Sequence, residues 1–164
     1  MKAKTLPPLE TLRSLLDYNA ETGEMRWQNY AGFKNKLAKS TTSTGYMRLQ
    51  IQGKSFLTHR IAWKMIHGTD PVNQIDHVNK NPKDNRISNL REATESQNKW
   101  NRPAQQNNTS NIKGVSFWGG RNHWAVQISC RGKRYRKAGF LTAREAEVHI
   151  IQKREEIHGV FSCH

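Results

Sequence analysis

The sequence predicts an α+β protein built in two pieces, and three observations carry that prediction. Apolar spacing switches between the two-residue period of strands and the longer period of helices, with no long apolar run. A polar stretch with a proline and no apolar anchor, residues 103–110, separates two segments that can each close on themselves. Hydrophobic residues are 35% of the 164, and mean hydropathy is −0.88, so two small cores are expected.

The first segment, residues 1–102, opens with Leu6, Leu9, Leu12, Leu15 and Leu16, a spacing that suits a short amphipathic helix. Gly23 ends a turn over 19–23, and strands are expected at 25–27, 46–52 and 56–58, with Gln52-Gly53-Lys54 as a hairpin turn. Ile61, Ala62, Met65 and Ile66 return to helical spacing over 59–67. A second group occupies 73–102: residues 73–78 alternate, with Ile75 facing opposite to Asp76, and 79–88 is a polar loop. Residues 89–93 can pair back, and Thr94-Glu95-Ser96-Gln97 has the capping-box pattern that starts a helix. That helix carries Gln97, Asn98 and Asn101, giving strand, loop, strand, helix.

The second segment, residues 111–164, predicts strands at 114–117, 124–129 and 134–138, joined at Gly119-Gly120 and Arg131-Gly132. Thr142-Ala143-Arg144-Glu145 is a second capping-box pattern and opens a helix to about His158, ended by Gly159. Ala143, Ala146, Ile150 and Ile157 fall on one face of it. Three antiparallel strands packed on one helix complete a small domain.

Charge narrows the partner. There are 27 Lys and Arg against 13 Asp and Glu, a formal net charge of +14 and a pI near 10.2. Such an excess favours a polyanion, because each phosphate contact releases condensed counterions. With no signal peptide, lipidation motif or long apolar run, membrane is set aside and nucleic acid is preferred. Cys130 and Cys163 are the two cysteines, which excludes a disulfide framework and a four-cysteine zinc site and fits a reducing cytoplasm.

Asp76-His77 falls at a strand end, and Asn98 lies on the helix that follows. An Asp carboxylate and an Asn carbonyl are hard oxygen ligands suited to Mg²⁺ or Mn²⁺, while a neighbouring histidine can deprotonate water at neutral pH. Phosphodiester hydrolysis needs both functions. His59-Arg60, Asp76-His77, the run Asp84-Asn85-Arg86-Ile87-Ser88-Asn89-Leu90 and Gln97-Asn98 resemble the HNH nucleases, particularly phage- and intron-encoded homing endonucleases. Together with 19–27, Gly45-Tyr46 and Gly53-Lys54, the resemblance covers residues 5–102. It implies a ββα-metal fold, with His77 as general base and one divalent metal on Asp76 and Asn98, without structural zinc. It also implies that Asn89 braces the loop and orients the His77 ring, a role for which Asn85 is the rival. Arg60 would touch a phosphate or the leaving group, or else is simply a helix N-terminal residue. His67, His123, His149, His158 and His164 show no ligand spacing and read as surface or satisfied core histidines.

Between Ser96 and Ala143 there is no acidic residue, yet Lys and Arg recur. Strand alternation sends Trp124, Val126 and Ile128 toward the helix, and Ala125, Gln127, Ser129, Arg134 and Arg136 outward. Such a face holds phosphate donors and base-edge readers, though a merely solvated basic face has the same composition. Gly114-Val115, the run Trp124-Ala125-Val126-Gln127-Ile128, Gly139-Phe140 and the helix start at Thr142 resemble the AP2 DNA-binding domain over residues 109–161. The resemblance implies a sheet laid in the major groove of double-stranded DNA, with Lys113, Ser116, Trp118, Gln127, Ser129, Arg134 and Arg136 meeting it. Ser116, Trp118 and Ser129 stand where plant members have arginines.

The combined expectation is a homing-type DNA endonuclease with a catalytic centre complete by Arg102 and a separate targeting sheet. It would nick as a monomer on DNA, in the cytoplasm of a bacterial or phage-infected cell. Two rivals stand beside it: a non-cleaving DNA-binding regulator and a structure-directed repair nuclease.

Overall fold

A computed structural model describes residues 4–28, 32, 34–38, 40–102, 104 and 108–161. The expected linker residues 103 and 105–107, and Cys163 and His164, lie outside the described residues. The fold is mixed α and β with several small antiparallel sheets, and contacts divide it into two compact units, Met1–Ala93 and Thr94–His164.

In the first unit, helix α1 (Leu9–Leu15) runs directly into β1 (Leu16–Tyr18), which pairs with β2 (Met25–Trp27). Leu16, expected at the end of the helix, is extended instead. Opposite Trp27 it buries its side chain to 1% exposure, while its N–H still closes the helix on the Leu12 carbonyl. A three-stranded sheet follows, with β4 (Met47–Ile51) central between β3 (Ser40–Thr41) and β5 (Lys54–Leu57). Helix α2 (Thr58–His67) ends on Gly68, and β6 (Gln74–His77) pairs with β7 (Leu90–Ala93). Leu12, Leu16, Met25, Leu49, Ile51, Ile61, Ile75 and Leu90 share one core beneath these elements.

The second unit begins with α3 (Glu95–Asn101), whose capping box is complete: Thr94 accepts from Gln97 N–H, and Gln97 accepts from Thr94 N–H. The sheet has β9 (His123–Cys130) central between β8 (Val115–Trp118) and β10 (Lys133–Phe140), and α4 (Ala143–His158) covers one face. Val115, Val126, Ile128, Ala146 and Ile150 form the core. The backbone comes so close beside β9 that a Cβ on Gly114 would meet the Gln127 carbonyl oxygen at 2.5 Å. At the start of α4, Thr142 accepts from Glu145 N–H, while Glu145 reaches one residue past the cap to Leu141 N–H. Ala125 lies on the face opposite the helix yet is 2% exposed.

Candidate active site and basic sheet face

The β6–β7 hairpin places the chemistry of the first unit. Asp76 pairs with Arg91 across the strands, and its Oδ2 accepts from Arg91 Nε at 2.9 Å and lies 2.8 Å from Nη2. Both Asp76 and His77 are 5% exposed.

His77 meets Asn85, not Asn89: its Nε2 lies 3.2 Å from Asn85 Oδ1. Asn85 is 1% exposed and its amide donates to Met47 Sδ at 3.3 Å, so the oxygen is the atom turned to the ring. An amide oxygen only accepts, hence Nε2 carries the proton and the ring's lone pair sits on Nδ1. The loop itself is held by Asn89, whose amide donates to the Asp84 carbonyl (2.8 Å) and Asn79 Oδ1 (3.0 Å) while its Oδ1 accepts from Asn79 N–H (2.9 Å). The two duties expected of Asn89 are therefore divided between Asn89 and its rival.

Asn85 is fixed from behind as well. Tyr18 Oη donates to its carbonyl at 2.7 Å, and burial pushes the Tyr18 hydroxyl up to about 12, which keeps it a donor. The turn at Gly23 (φ +74°) packs so tightly on the loop that a Cβ there would stand 2.5 Å from Arg86 N and 2.7 Å from Asn85 C. Asp84 is held down to about 2, chiefly by its bond from Arg86.

His59, on the first turn of α2, stands beside this group with its ring edge-on to His77 at 5.1 Å and to Tyr46 at 5.5 Å. It is 4% exposed, Nδ1 has no hydrogen-bond partner, and burial pushes its pKa down to about 3, with His77 and Arg60 adding to the shift. His59 is thus a neutral wall of the site. Burial also lowers the His77 pKa, while the Asn85 bond and the charges of Asp76 and Asp84 raise it. Arg60 is half-buried on the same turn; burial lowers its pKa, and Asp70 and Glu92 oppose that. Sequence reasoning missed Tyr18 and Met47, and it placed Tyr46 within the resemblance without a role at the site.

Among the described residues, no three or more His, Cys, Asp or Glu side chains cluster so as to hold a metal ion. A carboxylate such as that of Asp76 is a hard oxygen ligand of the kind Mg²⁺ takes. Asp76 belongs to the first unit and Asn98, half-buried on α3, to the second.

In the second unit, register puts Ser116, Trp118, Gln127, Ser129, Arg134 and Arg136 on one sheet face: Ser116 pairs with Ala125, Gln127 with Arg136, and Ser129 with Arg134. All six are exposed. From the outer strands, the Arg136 guanidinium lies over the Trp118 ring at 4.1 Å. That stack crosses the central strand, which accounts for the burial of Ala125. Lys113 is engaged elsewhere, on the carbonyls at the end of α3. Of the other histidines, half-buried His149 bonds to Tyr135 Oη (2.7 Å), and buried His158 stacks on Trp100.

The first unit thus offers a strand-end Asp-His pair beside two buried asparagines, followed in sequence by a capped helix. Residues 56–99 match the family model described as HNH endonuclease, so the chain carries an HNH endonuclease domain. It belongs to the family of Protein 3.8 of Escherichia phage T7, to which it is 33% identical over 107 residues, 63% of this chain and 86% of that relative. No solved structure matches the chain. No helix among the described residues is long and apolar enough to cross a membrane.

Proposed function

We propose that this protein is a metal-dependent DNA endonuclease of homing type, which makes a site-preferring nick in double-stranded DNA with His77 as general base. The observation that carries the reading is the His77–Asn85 bond, which fixes the tautomer with its lone pair on Nδ1. That nitrogen takes the proton from water as the water oxygen attacks phosphorus in line and the 3′ oxygen leaves. General-base catalysis of this kind contributes ~10²–10⁴-fold. Burial keeps the His77 pKa below its ordinary value, so the base is unprotonated at neutral pH.

Asp76 and Asn98 are the proposed ligands of one Mg²⁺ or Mn²⁺. When bound, such an ion stabilises the charge that develops on the leaving oxygen. Asn89 braces the loop, and Arg60 is assigned to a phosphate. The ββα-metal fold spans 73–102, residues 103–110 are the proposed linker, and the AP2-like sheet beyond presents Ser116, Trp118, Gln127, Ser129, Arg134 and Arg136 to the major groove. One centre per chain fits a monomer that nicks in the cytoplasm of a bacterial or phage-infected cell.

The test is nicking of supercoiled plasmid with and without chelator. Activity that needs Mg²⁺ or Mn²⁺ and falls sharply in Asp76→Ala and Asn98→Ala is expected. Cutting that a chelator leaves untouched would overturn the metal assignment, and no cutting under any metal would favour a non-cleaving regulator.

A further inference from the structure

Helix α3 has seven residues, too few to persist alone in water. Its first turn is closed by its own capping box, and its last turn, where Arg102 N–H reaches the Lys99 carbonyl at 3.3 Å, is met from outside as well. Lys113 Nζ donates to the carbonyls of Lys99 (3.2 Å), Trp100 (2.7 Å) and Arg102 (2.5 Å). These are among the acceptors that a helix end leaves unpaired, and a cation there also meets the negative end of the helix dipole.

Lys113 is itself anchored. Its carbonyl accepts from Arg154 Nη2 at 2.5 Å, and Arg154, on α4, is 3% exposed. A second fastening lies alongside: the Trp100 indole stacks on the His158 ring at 4.3 Å and 4°. His158 Nε2 in turn lies 3.4 Å from the Ser129 carbonyl of β9. The HNH match runs through β6 and β7 into α3 and stops at residue 99, yet both fastenings of that helix come from beyond it.

We propose that Lys113 is a positioning residue, through which the C-terminal sheet unit holds the helix that carries Asn98. The sheet unit then serves the catalytic centre as well as the choice of target. A centre complete by Arg102, as the sequence predicts, would lack the cap on its last helix. The proposal rests on the reading of Asn98 as a ligand, and it gives Lys113 a role other than the DNA contact its sequence position implies.

Full-length Lys113→Met and Lys113→Arg test it, compared with the parent protein. In metal-free hydrogen exchange, the amides of α3 in Lys113→Met should exchange roughly tenfold faster while those of β9 and β10 stay unchanged. The Mn²⁺ concentration for half-maximal nicking should rise by about tenfold, as when the support of a ligand is lost. Lys113→Arg, which can donate to the same carbonyls, should recover most of both. DNA affinity in chelator and its salt dependence should not move. Unchanged protection of α3 overturns the proposal, and so does faster exchange throughout the sheet, which would make the lysine a general structural prop. A salt slope lowered by about 0.9 with unaltered Mn²⁺ response would make Lys113 a phosphate contact and overturn it too. Faster α3 exchange together with parental nicking by His77→Ala would sink the reading of the site while leaving the cap intact.

Discussion

The two candidate sites handle polar side chains in opposite ways. Around β6 and β7, Asp76, His77, Asn85 and Asn89 are all buried, each held by a named partner. On the open sheet face, Gln127, Ser129, Arg134 and Arg136 are exposed, and Arg136 lies across a tryptophan. The difference follows from the tasks proposed for each. A general base must keep one tautomer and one orientation, which burial and hydrogen bonds enforce. Groups that meet a duplex must stay solvated until it arrives, since a buried charge would be spent on the protein itself.

The most severe challenge to this contrast is His77→Ala. Nicking should fall by ~10²–10⁴-fold while DNA affinity in chelator holds, because the substitution touches the buried site alone. Parental cutting rates from the variant, measured on supercoiled plasmid, would remove His77 from the chemistry.

A smaller effect sharpens the other side of burial. His59 has its pKa lowered in the fold, so its stabilising contribution is full above about 6.5 and is lost as pH falls from there toward about 3. By pH 5 the loss should reach about 2 kcal/mol. Urea melts of the parent and His59→Phe between pH 7.5 and about 5 measure it, as the difference between two curves cancels the carboxylates. An equally steep decline in both proteins would show that His59 does not titrate in this way.

The mildest change is expected on the sheet. Arg136→Ala should cost ~1–3 kcal/mol at one base position if the arginine reads a base edge. Arg134→Ala should weaken all sequences alike and lower the salt slope by about 0.9 if it meets a phosphate. Cleavage-site profiles and salt titrations of both variants separate the roles. Unaltered affinity, profile and slope in both would leave the face merely solvated.

Much of the fold was legible because the elements that matter carry strong local signals. The capping box at Thr94 and Gln97, the alternation through Asp76 and the glycines between β8, β9 and β10 each act within a few residues. What escaped is what depends on distant pairing. Strand β3 is two exposed residues that exist by pairing with Met47 and Arg48. Tyr18 meets Asn85 across 67 residues. The pair Asn85 and Asn89 could be placed in one loop from sequence, but which one faces His77 is decided by how that loop turns. Alternation put Ala125 on the correct face and still misjudged its exposure, because the cover comes from Trp118 and Arg136 on the outer strands.

The contact at Gly23 has a consequence for how this protein can vary. Residue 23 and the segment at 85–86 are more than sixty positions apart, yet the space for a single methyl group is missing between them. A change as small as Gly23→Ala has nowhere to go except into the backbone that carries the partner of His77. Drift at these two places is thereby tied together. Compensating changes for a lesion at either one should be sought at the other, well outside the residues that touch the reaction.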